Sequence, residues 1–169
     1  MDTTALMDEI IRREGGYVMH PADRGGATKY GVTRETLTAW RGRPVGIEEV
    51  KNLTETEARW IFNALYITQP KFHLIEYTPL RNLLVDCAVL HGVRRTVKWL
   101  QHAARVKEDG VIGPVTLAAV NEKDGRALYR AILARRLRFF GAILRRRPEQ
   151  AVFAHGWLNR AAEFVEAVP

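Results

Sequence analysis

A mainly α fold with a small β-hairpin or loop after its first helix is what this sequence predicts. Three observations predict it. Apolar residues recur at three- and four-residue spacing in one segment after another, and threonines able to cap helices stand at the start of three of these segments. Gly, Pro and Asp concentrate between Tyr17 and Val32, in the one long stretch whose chemistry suits a loop or hairpin better than a helix. A chain of 169 residues is long enough for one well-buried core, or for one lobe plus a small second one.

In order along the chain, Ala5, Leu6, Met7, Ile10 and Ile11 form the face of a first helix, which Thr3 or Thr4 can cap and Gly15-Gly16 ends. Thr33 to Trp40 reads as a short helix with Thr33 as cap and Thr36 as its box partner. Thr54-Glu55-Thr56-Glu57 opens another, with Ala58, Ile61, Phe62 and Leu65 as its apolar face and Gln69-Pro70 as its stop. Pro79 lies just ahead of a helix from Leu80 to Leu90, and Gly92 separates it from Thr96 to Ala104, packed through Val97, Leu100 and Ala104. The turn Asp109 to Pro114 leads into Val115 to Val120, with Pro114 at the helix start. A long Arg-rich helix follows from about Asp124 to Arg147, with a buried stripe of Tyr129, Leu133, Leu137, Phe140 and Leu144 and its arginines outward. Pro148 ends it, and a last helix carries Phe153, Trp157, Leu158, Ala161 and Val165. Trp40, Trp60, Trp99 and Trp157 mostly sit at helical core spacing, with one of them a candidate for stacking on sugar. There are no repeats and no low-complexity linker.

Composition narrows the chemistry. The single Cys87 lies in an apolar run, so it forms no internal disulfide and reads as a buried structural thiol. The five histidines lack metal-ligand spacing and no Cys cluster accompanies them, so neither a metal nor a cofactor is expected. A nucleophile elbow and a phosphate loop are both missing from the sequence. Asp109-Gly110-x-x-Gly113 lacks the alternating acids and the terminal Glu of a calcium loop and reads as a turn. The first residues carry an acid early and no basic stretch, unlike a secretory signal, and no run is apolar enough to span a bilayer. Synthesis in the cytoplasm is therefore expected; the chain is also expected to be a monomer.

The charge is lopsided. Lys and Arg number 26 against 19 Asp and Glu, a net of +7. Between Asp124 and Glu149 there is no acid, yet Arg126, Arg130, Arg135, Arg136, Arg138, Arg145, Arg146 and Arg147 all fall there. Such a balance suits a polyanionic partner. Three readings of the segment stand side by side: the solvated face of a core helix, attraction to an anionic outer-membrane surface, and nucleic-acid binding. The last lacks a recognised motif and is not expected.

Glu14 carries the chemistry. A carboxylate at the end of an apolar helix beside two glycines can be partly desolvated, which raises its pKa toward what a general acid needs. Asp23, nine positions on in a polar Gly-rich turn, should stay ionised. Two carboxyls in contrasting environments are the pattern of glycoside hydrolysis. Asp23 equally suits simple turn chemistry, and Thr28 and Tyr30 suit either strand propensity or hydrogen bonding to a sugar or to attacking water.

Glu14-Gly15-Gly16-Tyr17, with Pro21-Ala22-Asp23 and Gly25-Gly26-Ala27-Thr28-Lys29-Tyr30-Gly31-Val32-Thr33, resembles the opening motif of glycoside hydrolase family 108, phage and bacterial muramidases with a lysozyme-like catalytic region. Leu100-Gln101, Asp109 to Thr116, and Gly156 to Arg160 resemble that family's companion, a predicted peptidoglycan-binding domain. The resemblance implies an α+β lysozyme-like fold with helical lobes around a cleft. It implies a catalytic region over 1–85 and a helical peptidoglycan-binding-like region over 86–169, packed into the same globule. It also implies a phage-endolysin type of bacteriolytic muramidase with Glu14 as catalytic acid, Asp23 and Thr28 as its acid and hydroxyl companions, and Tyr17, Tyr30 and Gly31 contacting substrate. Arg160 is expected to fold back toward Glu14 as a supporting residue. The partner implied is peptidoglycan in the periplasm, reached through a holin or host lysis. A lytic transglycosylase, a non-catalytic wall-binding or secretion-assisting protein, and a membrane-active basic protein are the rivals.

Overall fold

The computed structural model describes residues 3–18 and 27–167, with the side chains of Thr4, Arg13 and Glu14 excepted. Its contacts divide the chain into two units, Met1–Leu65 and Tyr66–Pro169. The line expected at 85/86 falls inside a helix of the second unit.

The first unit is built on α1 (Thr3–Glu14), whose buried Leu6, Met7, Ile10 and Ile11 recur at the predicted spacing. This face packs on α4 (Glu55–Asn63), which presents Ala58, Ile61 and Phe62. Arg59 of α4 reinforces the pair through ion pairs to Asp8 of α1 and to Glu55 of its own helix. After α1 comes a two-stranded antiparallel hairpin, β1 (Thr28–Lys29) and β2 (Val32–Thr33). Its two-residue loop, Tyr30-Gly31, has positive φ at both positions (51° and 75°), as a type I′ hairpin turn requires.

The predicted caps Thr33 and Thr54 form. Thr33 accepts from the Thr36 amide at the start of α2 (Arg34–Arg41), and Thr54 accepts from the Glu57 amide at the start of α4, each at 3.1 Å. The sequence reading did not include the short α3 (Ile47–Lys51). Arg41 holds the three helices together, with a fork onto both oxygens of Glu57 at 2.9 and 2.8 Å and a bond to Glu49 at 2.9 Å. Arg43 also bonds Glu49, and together with the Gly46 amide it holds that carboxyl down to about 2.

The second unit is organised around α5 (Thr78–His91). Leu80 and every residue from Asn82 to Ala88 are buried, as befits a helix packed on all sides. It contacts α6 (Val93–Ala104) and α8 (Gly125–Arg146), and α8 in turn packs on α9 (Ala154–Glu166). Between α6 and α8 lies α7 (Pro114–Glu122). A π-helical turn (Ala64–Thr68) follows α4, and a 3₁₀ turn (Pro148–Phe153) replaces the expected simple stop at Pro148.

The Asp109–Pro114 turn is clasped from beneath. Buried Gln101 donates to Asp109 Oδ1 and to the Val111 carbonyl at 2.8 and 3.0 Å and accepts from the Gly110 amide at 2.8 Å. Gly110 takes a φ of 83°, which glycine tolerates best.

The stripe expected on α8 is corrected. Arg136 is fully buried, whereas Leu137 is 40% exposed. Steps of four residues precess around a helix of 3.6 residues per turn, so the line through Tyr129 and Leu133 has left the seam by Leu137. The inward line runs through Tyr129, Ile132, Leu133, Arg136 and Phe140. The Trp expectation is corrected too. Trp99 is buried, but Trp40 and Trp60 are 39% and 64% exposed, so helical spacing placed them on an outer face.

Candidate active site

The end of α1 is joined to the hairpin by a short ladder of backbone bonds. Gly15 leaves the helix with its amide still bonded to the Ile11 carbonyl at 3.2 Å and a φ of 68°. Its carbonyl then accepts from the Tyr30 amide at 3.0 Å. Val18 and Thr28 exchange both backbone bonds, at 2.8 and 2.9 Å, and Thr28 pairs across the hairpin with Thr33. Glu14 is the last residue of α1, so the backbone that carries it is held one residue from this ladder. Of the sequence-predicted residues, Thr28, Tyr30 and Gly31 belong to the ladder or to its turn and Tyr17 lies between its Gly15 and Val18 rungs; all four are half-buried. The Glu14 side chain and all of Asp23 lie outside the described residues.

Two lysines flank the tyrosines. Lys29 Nζ lies 5.3 Å from the Tyr30 ring centre and Lys51 Nζ 5.7 Å from that of Tyr17, both cation–π distances. Lys29 also donates to the Lys51 carbonyl at 2.5 Å, fastening β1 to α3. Glu48 pairs with Lys51 at 2.6 Å and raises its pKa further, so the ammonium stays charged. The surface beside the helix end therefore combines aromatic faces with positive charge, a combination suited to a polar, anionic polymer. Sequence reasoning missed both lysines; the alternation of Lys29 with Tyr30 in the motif was the available signal.

Arg160 belongs to the second unit, and its described partner is one the sequence reading did not name. Its Nε and Nη2 both approach Asp86 Oδ1, at 2.7 and 2.6 Å. The other Asp86 oxygen meets Arg136 Nη2 at 2.8 Å. Asp86 is buried in α5, and the Arg136 guanidinium is sandwiched near Phe140 and Phe164, each ring centre at 5.5 Å. One carboxylate thus joins α5, α8 and α9. A lone acid inside the apolar run Leu83 to Leu90 was the signal that a buried cation must answer it. The thiol of Cys87, beside it in α5, is buried and pushed up to about 12 by desolvation, so it is no nucleophile.

Among the described residues no group of three or more His, Cys, Asp and Glu could hold a metal ion, and no helix is long and apolar enough to cross a membrane.

Two family models match the chain, and they meet after α5 rather than at the Leu65–Tyr66 division of the structure. Residues 7–92 match the family model described as glycosyl hydrolase 108, and residues 95–162 match one described as a predicted peptidoglycan domain. Among solved structures, that of Brucella abortus SagA shares 36% identity over 96% of this chain and 90% of its own, with a TM-score of 0.81. No protein of curated function matches the sequence. The mainly α, lysozyme-like class predicted from sequence stands, with its small antiparallel hairpin after the first helix. The two family matches make the protein a peptidoglycan hydrolase of the glycoside hydrolase class. With its first model spanning α1, the hairpin ladder and α5, the chain belongs to the glycosyl hydrolase 108 family.

Proposed function

We propose that this protein is an N-acetylmuramidase that hydrolyses the β-1,4 bond between N-acetylmuramic acid and N-acetylglucosamine in peptidoglycan. The observation that carries the reading is the bond from the Tyr30 amide to the Gly15 carbonyl, which ties the hairpin of Thr28, Tyr30 and Gly31 to the residue after Glu14. An acid on a rigid helix end beside a fixed polar hairpin is an arrangement suited to glycosidic cleavage. Glu14 protonates the bridging oxygen as it leaves, and an oxocarbenium-like centre develops on the muramic acid. Asp23 stabilises that charge, positions the water that ends the reaction, or attacks directly as a nucleophile, with Thr28 helping to orient that water. Tyr17 and Tyr30 offer faces against which sugar rings stack.

The test is turnover of purified peptidoglycan with mass analysis of the fragments. Muropeptides with a hydrated reducing end on muramic acid are expected. Anhydro-muramic ends would replace hydrolysis by transglycosylation, and cleavage only at amide bonds would remove the muramidase reading.

The basic hairpin surface and the arginines of α8 favour approach to the anionic wall, so the site of action in this proposal is the wall itself. The family reading also supports an endolysin role, with passage across the inner membrane supplied by another component.

A further inference from the structure

The second unit contains a cavity of about 430 Å³ between the end of α5, the start of α6, the last turns of α8 and α9. One wall is aromatic: His91, Phe140 and Trp157 line it. Phe140 and Trp157 stack at 5.4 Å and 13°, and the exposed Phe153 continues the column at 6.1 Å from Trp157. The rim is cationic: Arg95, Arg146 and Arg147 line it, and no lining residue is acidic. Arg95 is already oriented, because it sits 4.8 Å from the Phe139 ring centre and donates to the His91 carbonyl at 3.3 Å. His91 adds an unused polar atom, since its Nε2 is buried without a hydrogen-bond partner. A half-enclosed cavity with an apolar column, three guanidiniums and an unsatisfied ring nitrogen is built for a ligand that carries carboxylates on a small apolar frame.

We propose that this cavity binds the stem peptide of peptidoglycan, with its free carboxylates on Arg95, Arg146 and Arg147 and its alanine methyls against the aromatic wall. The proposal rests on peptidoglycan being the substrate. It assigns the second unit a recognition role toward the peptide, separate from the glycan chemistry of the first. Stem peptides fit the observations better than a glycan strand, because guanidinium forks match paired carboxylate oxygens while a neutral sugar would leave three cations unanswered.

The experiment is calorimetric titration of the full-length protein with an N-acetylated stem pentapeptide bearing two free carboxylates, and with its fully amidated counterpart. The acidic peptide is expected to bind at least ~10-fold more tightly than the amide, as charge-assisted hydrogen bonds would give. Replacing Arg95, Arg146 and Arg147 together with Gln should bring its binding to the level of the amide. The control is Arg135, Arg138 and Arg145 to Gln, which removes the same charge from exposed residues that do not line the cavity and should change binding less than ~2-fold beyond salt screening. Equal affinity for both peptides, or equal loss in both triple variants, would overturn the assignment. So would absence of peptide binding alongside Arg95/Arg146/Arg147-dependent binding to anionic phospholipid vesicles, which would make the patch a membrane contact. Digestion of whole peptidoglycan is run on the same preparations. Cleavage without peptide binding sinks only the cavity assignment, and peptide binding without cleavage sinks the muramidase reading while the cavity stands.

Discussion

The Tyr30 amide donates to the Gly15 carbonyl at 3.0 Å, and this bond fixes the hairpin turn against the residue that follows Glu14. Both partners sit in backbone conformations of positive φ, 51° at Tyr30 and 68° at Gly15. A non-glycine residue held there is uncommon, and here the two-residue loop with Gly31 demands it. The Gly-Gly after Glu14 is therefore more than a helix stop. It turns the chain so that its next carbonyl and the Val18 strand can meet β1, and the acid ends up on the last rigid turn before that junction.

Glu14→Gln is the first prediction. The amide keeps size and hydrogen bonding but has no proton to transfer, so hydrolysis of peptidoglycan should fall by ~10²-fold or more with the thermal melt unchanged. Residual activity above about a tenth of the parent's would remove Glu14 as general acid, since acid catalysis typically contributes ~10²-fold or more.

Asp23→Asn separates two roles. If the carboxylate stabilises positive charge or prepares water, turnover drops while binding of uncleaved glycan persists. Unchanged turnover together with unchanged product stereochemistry would leave Asp23 as a turn residue. Thr28→Val belongs to the same assay. Its backbone exchanges both bonds with Val18 and pairs with Thr33, and valine keeps these, so a loss of activity without a loss of stability would report the hydroxyl alone.

Asp86→Asn should be among the most damaging changes in the second unit. It leaves the guanidinium of fully buried Arg136 and that of Arg160 without their shared anion. Breaking a buried ion pair by removing one partner costs on the order of 3–5 kcal/mol. Arg160→Met should cost less, because Arg160 is less deeply buried than Arg136 and Asp86 keeps the Arg136 contact. Urea unfolding of the variants measures this order, and a larger loss for Arg160→Met would contradict the central place given to Asp86.

Much of the fold was legible because local rules and packing agreed. The apolar spacing of α1, the caps at Thr33 and Thr54, and the hairpin expected after the first helix each mapped onto an element. The inward face of α8 was not, since its sequence offers leucines at 133 and 137 in four-residue steps while the geometric seam passes through Arg136. A buried arginine is decided by a partner 50 residues earlier, Asp86, and no periodicity reveals that. Trp40 and Trp60 show the opposite failure, where large apolar side chains at plausible spacing remain at the surface. In the candidate site, the motif gave the residues of the ladder. It could not give the bond from Tyr30 to Gly15, which depends on how the hairpin folds back.

His91 supplies a pH prediction whose sign is fixed by its surroundings. The ring sits among Trp99, Phe139 and Phe140, with centroid distances of 5.4, 5.2 and 5.4 Å. Burial, followed by the positive charges of Arg136, Arg95 and Arg160, pushes its pKa from 6.5 down to about 3. In the unfolded chain the same imidazole takes up a proton near its ordinary value, so the unfolded state binds more protons between those two limits. Its contribution to stability is therefore complete above pH ~6.5, is lost progressively as the pH falls, and levels off below the folded value. His91→Phe keeps an aromatic ring in an aromatic setting and removes the titration. Melting temperatures measured from pH 7.5 to 4 should fall less steeply for this variant than for the parent. The difference should open below pH ~6.5 and be absent above it. Parallel curves for the two proteins across that range would show that His91 is not held neutral in the fold.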